Sequence, residues 1–157
     1  MMRKVLSVLM AAAAIATLGV SSPAKAVTPI GGGLAVGYTH LSNGALAYVN
    51  LGVTDYGTSL AGSIRMVAGT SYMQARPTSI KYDATNKAHM TVSFIGLWNN
   101  SKLVAGSIDV YLDNSTSKTG RFGFTMFQVS STIGVSSAMV AEASIQALQG
   151  NTWVVSP

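Results

Sequence analysis

The sequence contains no cysteine among its 157 residues. Disulfides are therefore excluded, as are cysteine nucleophiles and the thiolate ligands of most structural zinc sites. A chain of this length suggests one domain, and it can bury enough apolar surface to form its own core. We therefore expect a single domain that is stabilised by side-chain packing alone.

Side chains that support catalysis are also scarce. Charged residues make up 10% of the chain, and the two histidines are His40 and His89. The pattern places His40 near a strand end and His89 at an outward strand position, so we interpret both as solvent-exposed or capping residues. Asp109 and Asp113 would lie about 13 Å apart along one strand, whereas glycosidase carboxylates are about 5–9.5 Å apart. We expect no enzymatic activity, no metal site of the usual kinds and no cofactor.

The first 26 residues have the layout of a secretory signal peptide. Arg3 and Lys4 form a positive start, residues 5–20 are apolar, and Ala-Lys-Ala at 24–26 is a small-x-small cleavage site. An uncleaved membrane anchor is the alternative, but the apolar run is shorter than the roughly 20 residues that a spanning helix needs. We predict export through the secretory pathway to the periplasm, cell surface or extracellular space of a bacterium.

Removal of residues 1–26 changes the charge of the chain. Seven Lys or Arg and five Asp or Glu remain, so the net charge falls from +5 to +2. The remaining sequence has no stripe of Lys or Arg, which is the footprint of nucleic-acid binding. We therefore expect no nucleic-acid partner.

Residues 103–127 carry the clearest secondary-structure pattern, two alternating arms around a polar turn at 113–120. Strict alternation of apolar and polar residues is typical of half-buried β-strands. The segment therefore predicts a β-hairpin at the centre of an all-β domain. Its apolar positions are Val104, Gly106, Ile108, Val110 and Leu112 on the first arm and Phe122, Phe124 and Met126 on the second.

Similar short patterns, separated by turns, extend over residues 34–157. We predict that this range is one β-domain, preceded by a flexible lead-in at 27–33. About eight or nine short strands with regular turn signals are typical of an antiparallel β-sandwich or a closed β-barrel.

Two segments are less regular. We interpret residues 69–77 as irregular, because Pro77 cannot donate a hydrogen bond in a central strand. Residues 138–149 fit either a capped helix or a strand, and we favour a strand that forms a hairpin around Gly150 and Asn151.

Three short motifs resemble the post-COAP domains, which are secreted bacterial domains without an assigned activity. Val-Tyr-Leu-Asp-Asn at 110–114 with Gly-Arg-Phe-Gly-Phe at 120–124 is similar to their Asp-turn-Gly-x-Phe hairpin. Gly-Ala-Leu-Ala-Tyr at 44–48 resembles their early Gly-x-Leu-x-Tyr strand, and Gly-Asn at 150–151 resembles their closing turn. The chain lacks a tight Asp-x-Gly turn and a second acid after Gly120. The resemblance implies an exported β-domain and carries no catalytic residues.

Candidate binding residues are few. Tyr111, Trp98 and Trp153 are ligand-contact candidates, because aromatic rings stack on sugars; packing in the core or at an edge is the alternative. Asp113 and Asn114 lie in an oxygen-rich turn that is a weak calcium candidate, although its spacing does not match an EF-hand. A plain Asx turn explains the same residues.

These observations favour an exported, non-enzymatic β-domain with a binding or structural role at the cell envelope or outside the cell. Its partner would be an envelope component, a glycan or a small apolar ligand, and self-association is a further option. One alternative is an outer-membrane β-barrel, whose strands also alternate. Another is a small-ligand barrel with its cavity lined by Met66, Met90, Phe94, Phe124 and Met126.

Overall fold

The computed structural model describes residues 26–112, 120–130 and 134–157. These ranges form nine β-strands without a helix, which confirms the all-β prediction. Accordingly, no helix long and apolar enough to span a membrane occurs in them. The strands are β1 (Gly31–His40), β2 (Leu46–Asp55), β3 (Leu60–Ala68), β4 (Ser71–Tyr82), β5 (His89–Trp98), β6 (Lys102–Tyr111), β7 (Arg121–Ser130), β8 (Gly134–Ala147) and β9 (Gln149–Val155).

The nine described strands belong to one antiparallel sheet. Each strand from β1 to β7 pairs with the next strand along the chain, and β9 pairs with β1. β8 and β9 are separated only by Leu148, yet they lie at opposite edges of the sheet. The sheet therefore curls into a nearly closed barrel, and the chain passes from one edge to the other at Leu148.

Hydrogen bonds across the seam hold the two edges together. The side-chain amide of Gln146 in β8 donates to the carbonyl oxygen of His40 at 2.6 Å. The hydroxyl of Thr152 in β9 donates to the carbonyl oxygen of Tyr111 in β6 at 3.1 Å. These contacts join strands that are not neighbours in the sheet, so they support barrel closure.

Apolar side chains fill the interior of the barrel. A barrel of about eight strands is just wide enough for its inward side chains to occupy the whole interior. The apolar positions predicted along residues 103–127 are buried where the structure describes them, apart from Gly106 and Leu112, which are partly buried. The largest fully buried side chains are Phe94, Phe122, Leu51, Ile64, Met66, Met73, Met90, Ile108, Met126 and Leu148.

The first strand begins earlier than the pattern suggests. Strand pairing starts at Gly31, which lies opposite Asp55, so the last three residues of the predicted lead-in at 27–33 belong to β1. These three residues are glycines, which have no side chain, so they show no alternation of apolar and polar residues by which a strand could be recognised.

The prediction that residues 69–77 are irregular is wrong. β4 runs through this segment and includes Pro77. The pairing of β4 with β3 ends at Ala75, and the pairing with β5 shifts register between Pro77 and Ser79. Proline is tolerated at such a bulge, beyond the end of one of the two ladders.

The preference for a strand over a helix at 138–149 is confirmed, since β8 covers most of the segment. The predicted hairpin around Gly150 and Asn151 is wrong. Both residues lie inside β9, where they pair with Gly37 and Val36 of β1. The change of partner takes place at Leu148, and there is no reversal of the chain there.

Candidate functional site

β1 has its large side chains on the outside of the barrel. Its inward positions hold small residues, among them Gly33 and Ala35, and a Cβ at Gly33 would meet the side chain of Met90. Its outward positions hold Leu34, Val36 and Tyr38. This is the reverse of the usual arrangement, in which the larger apolar residues of a strand face the core. The outside of β1 is therefore an apolar surface.

The strands on either side of β1 extend this surface, which we call the β1 wall. It consists of the outward apolar side chains of β9, β1 and β2, and Tyr38 and Tyr48 pack edge to face in it with ring centroids 5.3 Å apart. The three strands contain one Asp, Glu, Lys or Arg, namely Asp55, which is 7% exposed. The β1 wall is therefore free of exposed formal charge. Its members are Trp153, Val155, Leu34, Val36, Tyr38, Leu46 and Tyr48.

A groove of about 460 Å³ lies at one end of the β1 wall. Trp153 of β9 and Gly52 of β2 both border it, and each pairs with Leu34 of β1, one from either side. Trp153 is 56% exposed, so this residue is accessible from solvent. The groove therefore combines an accessible aromatic ring with a stretch of the barrel wall where a side chain is missing.

A second cluster lies outside the barrel on β5 and β6, around His89. The Nδ1 atom of His89 is 3.3 Å from a carboxylate oxygen of Asp83, and its Nε2 atom is 3.1 Å from a carboxylate oxygen of Asp109. The hydroxyl of Thr91 donates to the same Asp109 oxygen at 2.7 Å. Each ring nitrogen thus has its own carboxylate, so the doubly protonated ring can donate to both.

Aromatic stacking and a cation–π contact extend the His89 cluster. The rings of His89 and Tyr111 are stacked, with centroids 3.9 Å apart. The guanidinium carbon of Arg121 lies 4.7 Å from the centroid of the Tyr111 ring. The three residues occupy one cross-strand row on β5, β6 and β7. The row connects the start of β5 to β6 and, through Tyr111, to β7.

Hydrogen bonds in the turn after β4 act on the pKa of Asp83. Its carboxylate accepts from the backbone N–H and the hydroxyl of Thr85, then from His89 and from the backbone N–H of Asn86. In that order of importance, these bonds hold the pKa of Asp83 well below its usual range. Since Asp83 stays ionised, the turn has a permanent negative charge beside His89.

The His89 cluster does not form a metal site. Its two carboxylates contact opposite nitrogens of the ring, so the three groups do not converge on one point. Over residues 26–112, 120–130 and 134–157 there is no group of three or more His, Cys, Asp or Glu that is placed to bind a metal ion. The His89 cluster therefore links the β4–β5 turn to the sheet.

The structure separates the three predicted ligand-contact residues. Trp153 borders the groove, and Tyr111 lies in the row with His89. Trp98 is at the far end of β5 from His89 and packs partly buried against the core. Asp113 and Asn114, the calcium candidates, lie outside the described residues.

One histidine was interpreted correctly and one was not. His40 is the last residue of β1 and is exposed, as predicted. His89 does occupy an outward position, but its side chain is only 15% exposed, so the expectation of a solvent-exposed or capping residue is wrong. Its partner Asp109 is twenty residues away along the chain, and only the pairing of β5 with β6 brings the two together.

The groove also was not predicted as a site. Trp153 was a candidate, but its neighbours Gly52 and Leu34 come from strands distant in sequence. A glycine in the middle of a strand was the available signal, because such glycines often mark a close approach.

Comparisons of this chain with family models, with curated proteins and with solved structures found no match.

Proposed function

We propose that this chain is an exported, non-enzymatic bacterial β-domain that acts by binding, at the cell envelope or outside the cell. The observation that carries the proposal is the β1 wall. Large apolar side chains such as Tyr38, at 46% exposed, are placed outward while small residues fill the inward positions of the same strand. Extended exposed apolar patches on soluble proteins mark interaction sites.

Two sequence features support export. The segment 1–26 has the charge, apolar run and cleavage tripeptide of a signal peptide. The resemblance to the post-COAP domains implies the same location. Both are features of the sequence and are independent of the β1 wall.

The distribution of polar residues favours a water-exposed barrel over an outer-membrane barrel. Membrane barrels face lipid with apolar residues and have a polar interior. Here the interior is apolar, and Ser93, Ser107 and Thr125 form a polar row across the outside of β5, β6 and β7. A membrane-embedded barrel would place this polar row in lipid.

The same interior favours binding on the outside over binding in a central cavity. The five residues that would line such a cavity are packed in the core, with exposures from 0 to 3%. They are Met66, Met90, Phe94, Phe124 and Met126.

Native mass spectrometry of the exported protein, purified without detergent, tests the proposal. We expect the mass of residues 27–157, with a further species that carries a bound molecule or a second copy. The double variant Val36→Ser/Tyr38→Ser should lose that species, because it makes the β1 wall polar. Ser107→Ala, on the opposite side of the barrel, should retain it. An intact 1–26 segment in a detergent-dependent protein, or a species that the double variant leaves unchanged, would overturn the proposal.

A further inference from the structure

We propose that the groove beside Trp153 binds a small, uncharged ligand that has a flat apolar face. This inference rests on the proposed binding function and names the class of ligand. The groove is open to solvent along the outside of β9, β1 and β2, and its volume of about 460 Å³ is in the range of small-molecule sites, roughly 300–1,000 Å³.

Neither the backbone conformation nor a close contact requires glycine at position 52. Gly52 lies in the middle of β2 and its φ is not positive, so its backbone conformation suits any residue. A Cβ at this position would have no heavy atom of the described chain within 4 Å. By contrast, a Cβ at Gly32 would collide with the carbonyl oxygen of Val53. The barrel needs glycine at position 32, whereas it does not need glycine at position 52.

A glycine in the middle of a strand destabilises it, and it often marks the close approach of another backbone or of a ligand. No other part of the described chain fills the space that a side chain at position 52 would enter. The missing side chain keeps the groove open between Leu34 and Thr54, which supports an occupant from outside the chain.

The absence of charge around the groove restricts the ligand that it can bind. None of the described residues that border the groove is ionisable, and the side chains around it include Ile30, Leu34 and Val155. A charged ligand would lose hydration there without gaining a partner of opposite charge. The ligand is therefore uncharged.

The polarity and shape of the groove restrict the ligand further. Among the side chains bordering the groove, the hydroxyl of Thr54 and the indole N–H of Trp153 are the polar groups. A sugar ring has several hydroxyls that need partners, and this groove provides few from side chains. The exposed indole of Trp153 offers a flat apolar face instead, on which an aromatic or alicyclic ring can stack. The chemistry favours an apolar ring over a glycan.

The test uses N-phenyl-1-naphthylamine, an uncharged aromatic probe whose fluorescence rises in apolar surroundings. Mature protein with Trp98→Phe keeps Trp153 as its single indole, so energy transfer from Trp153 to the probe reports binding beside it. We expect Gly52→Leu, which fills the groove, to weaken binding by about tenfold or more. Ser93→Leu, an outward residue on β5 across the barrel, adds the same side chain away from the groove and should leave the affinity unchanged.

Three results would overturn the proposal. One is probe binding that Gly52→Leu does not weaken, while circular dichroism shows that the variant is folded. Another is quenching of Trp153 by methyl β-glucoside without binding of the probe, which would identify a glycan site. The third is a dimer in light scattering that Gly52→Leu dissociates, which would show that a second copy covers the groove. The last two results leave the proposed binding function standing. Failure of that function would instead appear in native mass spectrometry, as a bound species that the Val36→Ser/Tyr38→Ser variant retains.

Discussion

The ring of His89 lies parallel to the ring of Tyr111, with 2° between their planes and 3.9 Å between their centroids. The two residues are directly paired across β5 and β6. Because Asp83 and Asp109 also contact the imidazole, His89 connects the β4–β5 turn to the sheet through both stacking and hydrogen bonds.

His89→Ala should lower the free energy of unfolding by about 1–3 kcal/mol, because it removes the stack on Tyr111 and the contacts of the ring nitrogens with Asp83 and Asp109. His89→Phe keeps a ring against Tyr111 and should cost less. Urea unfolding of both variants measures the difference. Equal destabilisation by the two substitutions would show that the stack contributes nothing.

Asp83 makes stability depend on acid pH. Its pKa in the folded protein is well below the usual value, chiefly through the hydrogen bonds from Thr85. The stabilisation is therefore present above the unfolded-state pKa of about 4 and is lost as the pH falls below it. Asp83→Asn should flatten the fall in melting temperature over this acid range, and Thr85→Ala should have an intermediate effect. An unchanged slope in Asp83→Asn would contradict the prediction.

Tyr82 and Asp55 give the opposite pH dependence. The Tyr82 hydroxyl donates to a carboxylate oxygen of the buried Asp55 at 3.1 Å. Burial, followed by this bond and the charge of Asp55, raises the pKa of Tyr82 well above its usual value. The stabilisation is therefore present below the unfolded-state pKa of about 10 and is lost as the pH rises through the folded-state pKa.

Tyr82→Phe should lower the free energy of unfolding at neutral pH by about 1–2 kcal/mol, because Asp55 loses a hydrogen bond to its charged form. Absorbance at 295 nm should show one less late-ionising tyrosine than in the wild type. Tyr38→Phe, at an exposed position of the β1 wall, is the matched control and should cost less than about 0.5 kcal/mol. If the alkaline titration of Tyr82→Phe matched that of the wild type, Tyr82 would not be the late-ionising group.

Packing in the barrel interior should dominate stability. Phe122 is completely buried, and Phe122→Ala should cost about 3–5 kcal/mol through lost burial and the cavity that remains. Leu97→Ala removes an outward side chain that is 42% exposed and should cost less than about 1 kcal/mol. Chemical denaturation compares the two. Similar losses in both variants would contradict a packed interior.

Two glycines should respond oppositely to alanine. A Cβ at Gly106 would collide with the carbonyl oxygen of Thr125, so Gly106→Ala should destabilise the protein by about 1–3 kcal/mol or more. A Cβ at Gly52 meets open space, so Gly52→Ala should be neutral or should stabilise by up to about 1 kcal/mol. A large loss of stability in Gly52→Ala would mean that the barrel itself requires this glycine.

Much of the fold could be predicted because side chains in a strand alternate with a period of two residues, whatever the strand pairs with. Ile108, Val110 and Phe122 were assigned to the apolar faces of their strands on this basis, and all three are buried. Local pattern gave the wrong prediction at Pro77, because a strand tolerates proline where the pairing with its neighbour has ended. It also fails at Gly150, because the partner of β9 is the first strand of the chain.

The candidate site was less predictable than the fold. Trp153 could be selected for its residue type alone, but Leu34 and Gly52 are its neighbours only through the pairing of β9, β1 and β2. The His89 cluster was equally hard to predict. The two carboxylates that contact His89 come from a turn and from another strand, so their convergence depends on the register of β5 with β6.

The sequence by itself determined the all-β class and the inward faces of the central strands, since both follow from local alternation and turn residues. The tertiary structure decided that the sheet closes through β8 and β9, that His89 lies between two carboxylates and that β1 turns Leu34, Val36 and Tyr38 outward. The physical reason is that closure and register depend on contacts between residues far apart in the chain. Local alternation identifies the inward face where large apolar side chains mark it, as in the central strands, but in β1 the inward positions hold small residues and only closure of the sheet decides which face is the interior.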